Sequence, residues 1–168
     1  MAGGEEKEFE GRNQSKIRPG GSGMRDSDRS VLRFNDGTML KGYLKTFSPD
    51  MAGIVIQEDE TGKTHSLEVD MMKAVFFVKS FEGDVGYKEK KSYGIRKSRG
   101  NRVFVKFKDG ECLVGFLEGK VPWEKGFFLS RKESDSLKGF FLLPADEDTN
   151  NIKVFVVASS VDDVTVVP

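Results

Sequence analysis

The chain is predicted to be all-β, two tandem five-stranded small barrels joined by a basic connector and preceded by a polar tail. Three observations predict this. A pattern of twelve residues occurs twice, each copy holds an Asp-Gly hairpin signal between apolar runs, and 19 Gly and 14 Phe in 168 residues favour short strands and tight turns.

Residues 1–29 hold almost no apolar side chains, alternate acids with bases and include Pro19 Gly20 Gly21 Ser22 Gly23. Such a segment cannot bury enough surface to offset its ordering entropy, so a disordered tail is expected. The first barrel is expected over 30–86. Its first strand ends at Phe34, where Asp36 Gly37 supplies the positive backbone angles of a tight hairpin. The second strand sets Leu40, Gly42 and Leu44 on one face, and a glycine within a strand marks a bend or a close backbone approach. After a loop containing Pro49 come a third strand at Gly53–Glu58, a turn at Thr61 Gly62 and a fourth strand near His65–Val69. Asp70 to Lys73 has the length of one helical turn with Asp70 as its cap, and a fifth strand covers Ala74–Val78.

Residues 33–44 align with 106–117 at an offset of 73, and six of the twelve positions are identical. Ordinary composition gives about one such match by chance. The register continues from Pro49 to Pro122, from Gly53 to Gly126, and from Ile54 Val55 Ile56 to Phe127 Phe128 Leu129. Val75 to Val78 matches Val164 to Val167 only at an offset of 89, so the second barrel, expected over 102–168, carries 16 extra residues. They are assigned to 138–151, where longer third and fourth strands would form an extended hairpin tipped by Asp146 Glu147 Asp148.

The 27 bases and 27 acids cancel in total but not in place. Residues 88–102 hold seven bases and one acid, and this block, with 87–101 as its linker, separates the barrels. Its Lys88, Lys90, Lys91, Arg96, Lys97, Arg99 and Arg102, with Tyr93 to stack on a base, form the candidate contact for single-stranded RNA or DNA. The plainer reading is a solvated linker, the usual meaning of a charge run. Trp123 beside Pro122, and Pro49 in the equivalent loop, form the candidate contact with a protein partner, because Trp is enriched at binding hot spots.

Enzyme chemistry is not expected. One histidine and one cysteine assemble no nucleophile, base and oxyanion set, and they supply no metal site, disulfide or cofactor ligand set. Cys112 is expected to be a buried strand residue, and His65, in a strand without a partner Ser, Cys or carboxylate motif, a structural or surface residue. In the pairs Phe76 Phe77, Phe127 Phe128 and Phe140 Phe141, one ring of each faces away from its own core in a regular strand. That surplus apolar surface predicts packing of barrel on barrel, within the chain or in a homodimer. No apolar run reaches the length of a bilayer crossing and the opening residues lack the order of a secretory signal, so a cytoplasmic protein is expected.

The order of apolar strand, Asp-Gly, Leu-x-Gly at Leu40 and Leu113, loop, apolar triplet and closing Lys73 Ala74 Val75 Phe76 Phe77 Val78 resembles the Sm-like, SH3-type barrel of the Hfq and Lsm proteins. It also resembles uncharacterised bacterial domains of the same strand pattern. The resemblance implies the fold over about 50 residues of each repeat. It does not imply the ring-type RNA site, whose Asn and Arg-Gly or Tyr-Lys-His positions read here Ser48 Pro49 Asp50 and Val69 Asp70 Met71 Met72. The cyclic-dinucleotide motif of PilZ barrels is half met by Arg25 and Arg29, while Ser134-x-Ser136-x-x-Gly139 lacks its Asp or Asn. Together these readings give a non-enzymatic binding or regulatory module for a protein partner, met through barrel loops or strand edges, with nucleic-acid binding as the alternative.

Overall fold

A computed structural model describes residues 29–82, 100–118, 137–146 and 148–167. Among these residues ten strands follow one another: β1 (Arg29–Phe34), β2 (Met39–Thr46), β3 (Gly53–Glu58), β4 (Thr64–Glu68), β5 (Met72–Val78), β6 (Asn101–Phe107), β7 (Cys112–Leu117), β8 (Gly139–Pro144), β9 (Asn151–Val157) and β10 (Val161–Val167). Single 3₁₀ turns, Val69–Met71 and Ala158–Ser160, precede β5 and β10. All the pairings are antiparallel and join one sheet in the order β10-β6-β7-β8-β9-β5-β1-β2-β3-β4. The protein is thus all-β. Each half of the sheet has the same internal order, fifth strand, first, second, third, fourth, and the halves meet where β5 pairs with β9.

The repeat is carried into local geometry. Gly37 and Gly110 take φ of 89° and 90° in the two Asp-Gly turns, the left-handed region that a side chain disfavours. Asn35 N–H donates to Met71 O at 3.1 Å, and its counterpart Lys108 N–H donates to Ser160 O at 3.0 Å, so each hairpin turn clasps the 3₁₀ turn of its own half. Gly42 and Gly115 answer to close approach: a Cβ would stand 2.2 Å from Gln57 O at the first and 2.5 Å from Leu143 O at the second. β1 meets β5 with a register shift that skips Lys73, and β6 meets β10 with one that skips Asp162.

Two cores share the central strand pair. Val75 and Phe77 of β5, with Phe155 and Val157 of β9, belong to the core of Leu32, Leu44, Ile54 and Ile56. Ala74 of β5, with Val154 and Val156 of β9, belongs to the core of Val103, Val105, Leu117 and Leu142, and Phe76 packs against it. Alternation along a strand sends neighbouring side chains to opposite faces, so each of these strands is apolar on both. The split expected of the phenylalanine pairs is found within the chain at Phe76 Phe77, and again at Phe140 and Phe141, which pack on different cores. The pair Phe127 Phe128 lies outside the described residues.

Four expectations are corrected. β1 opens at Arg29, the last residue assigned to the tail and one before the expected start of the first barrel. Asp70 does not cap the first 3₁₀ turn; it lies inside Val69–Met71, whose cap position is Glu68. Lys73 belongs to β5, not to a helical turn. The third strand of the second half is Gly139–Pro144, and its glycine, two buried positions and intervening half-buried one repeat those of Gly53–Ile56. The extra length therefore falls mainly between β7 and β8, at 118–138 against 47–52 in the first half, while the turns after β3 and β8 span 59–63 and 145–150.

Candidate functional site

The joint between the halves holds two of the buried polar residues, Lys73 and Ser160. The register shift at Lys73 re-aims its side chain, as bulges do, toward the Asp-Gly turn of the second half. Its ammonium, on a side chain 6% exposed, donates to Asp109 Oδ2 at 2.6 Å and to Glu111, and sits 4.6 Å from the centre of the Phe107 ring. Arg33 Nη1 donates to the other oxygen of Glu111 at 3.2 Å. Hydrogen bonds from Lys73 and from the Glu111 backbone hold the Asp109 carboxyl below its ordinary value. Burial pushes Glu111 up, but its hydrogen bonds to Lys73 and Arg33 and their charges outweigh that, and the net direction is down. The buried Ser160 hydroxyl, 2.9 Å from Lys73 O and 2.7 Å from Val157 O, ties the second 3₁₀ turn to β5. At the far end of the joint, Asn150 accepts from Ser80 N–H at 3.1 Å and donates to Ser80 O at 2.8 Å.

A cavity of about 460 Å³ opens beside this cluster, lined by Asn35, Lys73, Phe107, Lys108, Asp109, Ser159 and Ser160. The buried Ser159 hydroxyl has no hydrogen-bond partner among the described residues. The lining mixes ammonium, carboxylate, amide and hydroxyl groups, which suits a small polar ligand. Lys73 is engaged by two carboxylates and Ser160 by two carbonyls, so neither is poised to attack a bound group.

The sheet ends on β10 and β4, each paired on one side only among the described residues. On β10, Asp163, Thr165 and Val167 share a face with Lys106, Phe104 and Arg102 of β6, while Val164 and Val166 face the core side with Val105 and Val103. Val166 is 39% exposed, whereas its equivalent in β5, Phe77, is covered by β9. On β4, His65 Nε2–H donates to Glu58 Oε2 at 3.0 Å, and Thr61 Oγ1 donates to the same oxygen at 2.6 Å. The hydroxyl thus meets the carboxylate and not the imidazole, an arrangement that does not activate an oxygen nucleophile. Those two hydrogen bonds, Thr61's the larger, lower the Glu58 carboxyl from its ordinary value. The sequence showed no partner motif for His65, yet strand pairing brings it beside a carboxylate seven positions away.

Of the expected nucleic-acid contacts, Lys88, Lys90, Lys91, Tyr93, Arg96, Lys97 and Arg99 lie outside the described residues. Arg102 is a half-buried residue of β6 opposite Phe116 and Val167. Pro122 and Trp123 also lie outside them, while Pro49 is exposed in a turn closed by Met51 N–H to Ser48 O at 3.1 Å. Arg29 donates to Lys79 O at 3.2 Å; its expected companion Arg25 is outside the described residues. Cys112 opens β7 half-buried, less enclosed than expected. Sequence reasoning missed Lys73, Glu111 and Ser160. Their signal was present in the repeat, at positions where one copy is charged or polar in a way the other is not: Lys73 against Asp162, Glu111 against Thr38, Ser160 against Met71.

Among the described residues, no group of three His, Cys, Asp or Glu side chains could hold a metal ion, and no helix is long and apolar enough to cross a membrane. The fold and these surfaces define an all-β protein of two like halves sharing one open sheet. Residues 26–168 match a family of unknown function, DUF6982, and the chain belongs to that family. No curated protein and no solved structure matches it.

Proposed function

We propose that each half is an Sm/SH3-like small barrel opened along the shared sheet, and that the protein is a non-enzymatic binding module. It takes an extended segment of a partner protein onto the outer edge of β10, where backbone hydrogen bonds supply affinity and alternate side chains supply choice. The observation that carries this reading is the end of the sheet at β10, open among the described residues. β10 offers seven residues whose Val166 stays exposed at the place where the equivalent β5 residue is buried under a further strand. The experiment is affinity capture with the intact chain and with Val166→Glu, Leu67→Glu and Pro49→Ala variants, followed by amide hydrogen exchange of the complex. Loss of the partner from Val166→Glu alone, with slowed exchange over 161–167, supports the reading. A partner retained by Val166→Glu and lost from Pro49→Ala moves the contact to the loops around Pro49, Pro122 and Trp123.

A second reading rests on the charge of residues 88–102, seven bases against one acid. It is contact with the phosphates of single-stranded nucleic acid. Binding that falls steeply with salt and vanishes when Lys97, Arg99 and Arg102 become Ala marks it, as does an absorbance ratio showing co-purified nucleic acid.

A further inference from the structure

The joint pairs the fifth strand of one half with the fourth strand of the other, and the two ends of the sheet are again a fifth strand, β10, and a fourth strand, β4. A second copy could therefore add by the same pairing, and a head-to-tail contact of that kind propagates into rings or filaments. Whether it does depends on which residues stand at the ends where the joint has its contacts.

The equivalence is set by register. Lys73 and Asp162 are each the skipped residue of a fifth strand, between Phe34↔Met72 and Arg33↔Ala74 in one half and Phe107↔Val161 and Lys106↔Asp163 in the other. Gly53↔Glu68 and Ile54↔Leu67 likewise correspond to Gly139↔Val157 and Phe140↔Val156. Transferring the joint register to the ends replaces Ala74↔Val156 by Asp163 against Leu67 and Val75↔Phe155 by Val164 against Ser66. It also replaces Phe76↔Val154 by Thr165 against His65. Each apolar pair becomes a pair with a polar member. The ion cluster fares worse: Lys73 becomes Asp162, its partner Asp109 becomes Asp36, and Glu111 becomes Thr38. Like charges would meet where the joint sets an ammonium between two carboxylates, and juxtaposed like charges discriminate strongly against a wrong partner. The Ser160 hydroxyl that reaches Lys73 O has Met71, an exposed methionine, in its place.

We infer that the charges around β4 and β10 terminate the repeat. The Lys73, Asp109, Glu111 and Arg33 cluster allows one fourth-to-fifth strand pairing, the internal one, and the ends reject a second copy, leaving both edges open. This goes beyond the proposed partner binding and stands without it. The test is sedimentation velocity over a concentration series on the full chain and on an Asp162→Lys/Thr38→Glu double variant, which restores a lysine facing two carboxylates. The wild type is expected to sediment as a concentration-independent monomer, and the double variant at dimer mass and above, returning to monomer in high salt. A double variant that folds by circular dichroism yet stays monomeric overturns the inference, as does a wild type whose self-association is lost on Val166→Glu. Mixing the two single variants covers a folding failure of the double: complementary ends should join Asp162→Lys to Thr38→Glu more tightly than either joins itself, and equal association of all mixtures overturns the inference.

Discussion

At the scale of single residues, the two halves are constrained by contacts that a pattern of letters marks without explaining. Gly42 and Gly115 stood out as glycines inside strands, and the reason is a carbonyl of the neighbouring strand where a Cβ would be. Gly42→Ala should therefore lower stability by about 2–3 kcal/mol through overpacking, read from the midpoint of urea unfolding, and Gly115→Ala should behave alike. A substitution that leaves the midpoint unchanged would show that β3 moves aside without cost. Ser30 gave no such sign. It is fully buried on β1 and its hydroxyl has no hydrogen-bond partner among the described residues. Removing an unsatisfied buried hydroxyl recovers part of its desolvation cost, so Ser30→Ala should raise stability by about 1 kcal/mol in the same assay. A lowered midpoint would mean that the hydroxyl is engaged in solution.

At the scale of elements, the strands were legible because each is bounded by a local device: an Asp-Gly turn, a Pro-containing loop or a change of apolar period. Gly53–Glu58 was readable to the residue, and the hairpin turn at Thr61 Gly62 has the positive φ, 71° at Gly62, that its glycine announced. The third strand of the second half was not, because Phe140 Phe141 Leu142, which pairs with β9, stands at an offset of 86 from Ile54 Val55 Ile56, whereas the repeat is extended at a constant 73. The joint was invisible for a different reason. Lys73 gains its partners only when strand pairing brings the turn at Asp109 36 residues back onto it, and no local spacing encodes that. The joint should also be the acid-sensitive element. Asp109 and Glu111 are held below their ordinary values of 3.8 and 4.5 in the folded chain. The unfolded chain then binds protons more readily than the folded one. The stabilisation is complete above the ordinary values and drains away as pH falls through the lowered ones. Thermal melts in an acid series should show this fall in the wild type and a shallower one in Lys73→Met, which keeps the apolar stem and removes the charge. Equal slopes in both proteins would remove the cluster from the acid response. At neutral pH, Lys73→Met should cost about 1–3 kcal/mol, because two carboxylates lose their shared cation.

At the scale of the whole molecule, the reading of two barrels held apart by a linker and the observed sheet differ in how stability is distributed. Separate barrels would unfold independently, each with its own midpoint. Here β5 and β9 place alternate side chains in both cores, and rings from both halves meet: Phe47 lies 5.0 Å from Phe155 and 6.0 Å from Phe141, and Phe77 lies 6.2 Å from Phe141, centre to centre. Lys153 adds its ammonium 4.5 Å from the Phe141 ring and 5.6 Å from Phe77. Neither half can lose its core without uncovering a face of the strand pair that the other half needs, so the described strands should unfold as one cooperative unit. Leu32→Ala, in the core of the first half, tests this. It should destabilise by about 2–5 kcal/mol, the cost of deleting a buried leucine side chain. Native-state amide hydrogen exchange should then report the same loss of protection in β7 and β8 of the second half as in β2 and β3 of the first. If protection falls in the first half alone, the joint is a docking surface between independent barrels and the shared strands do not couple them.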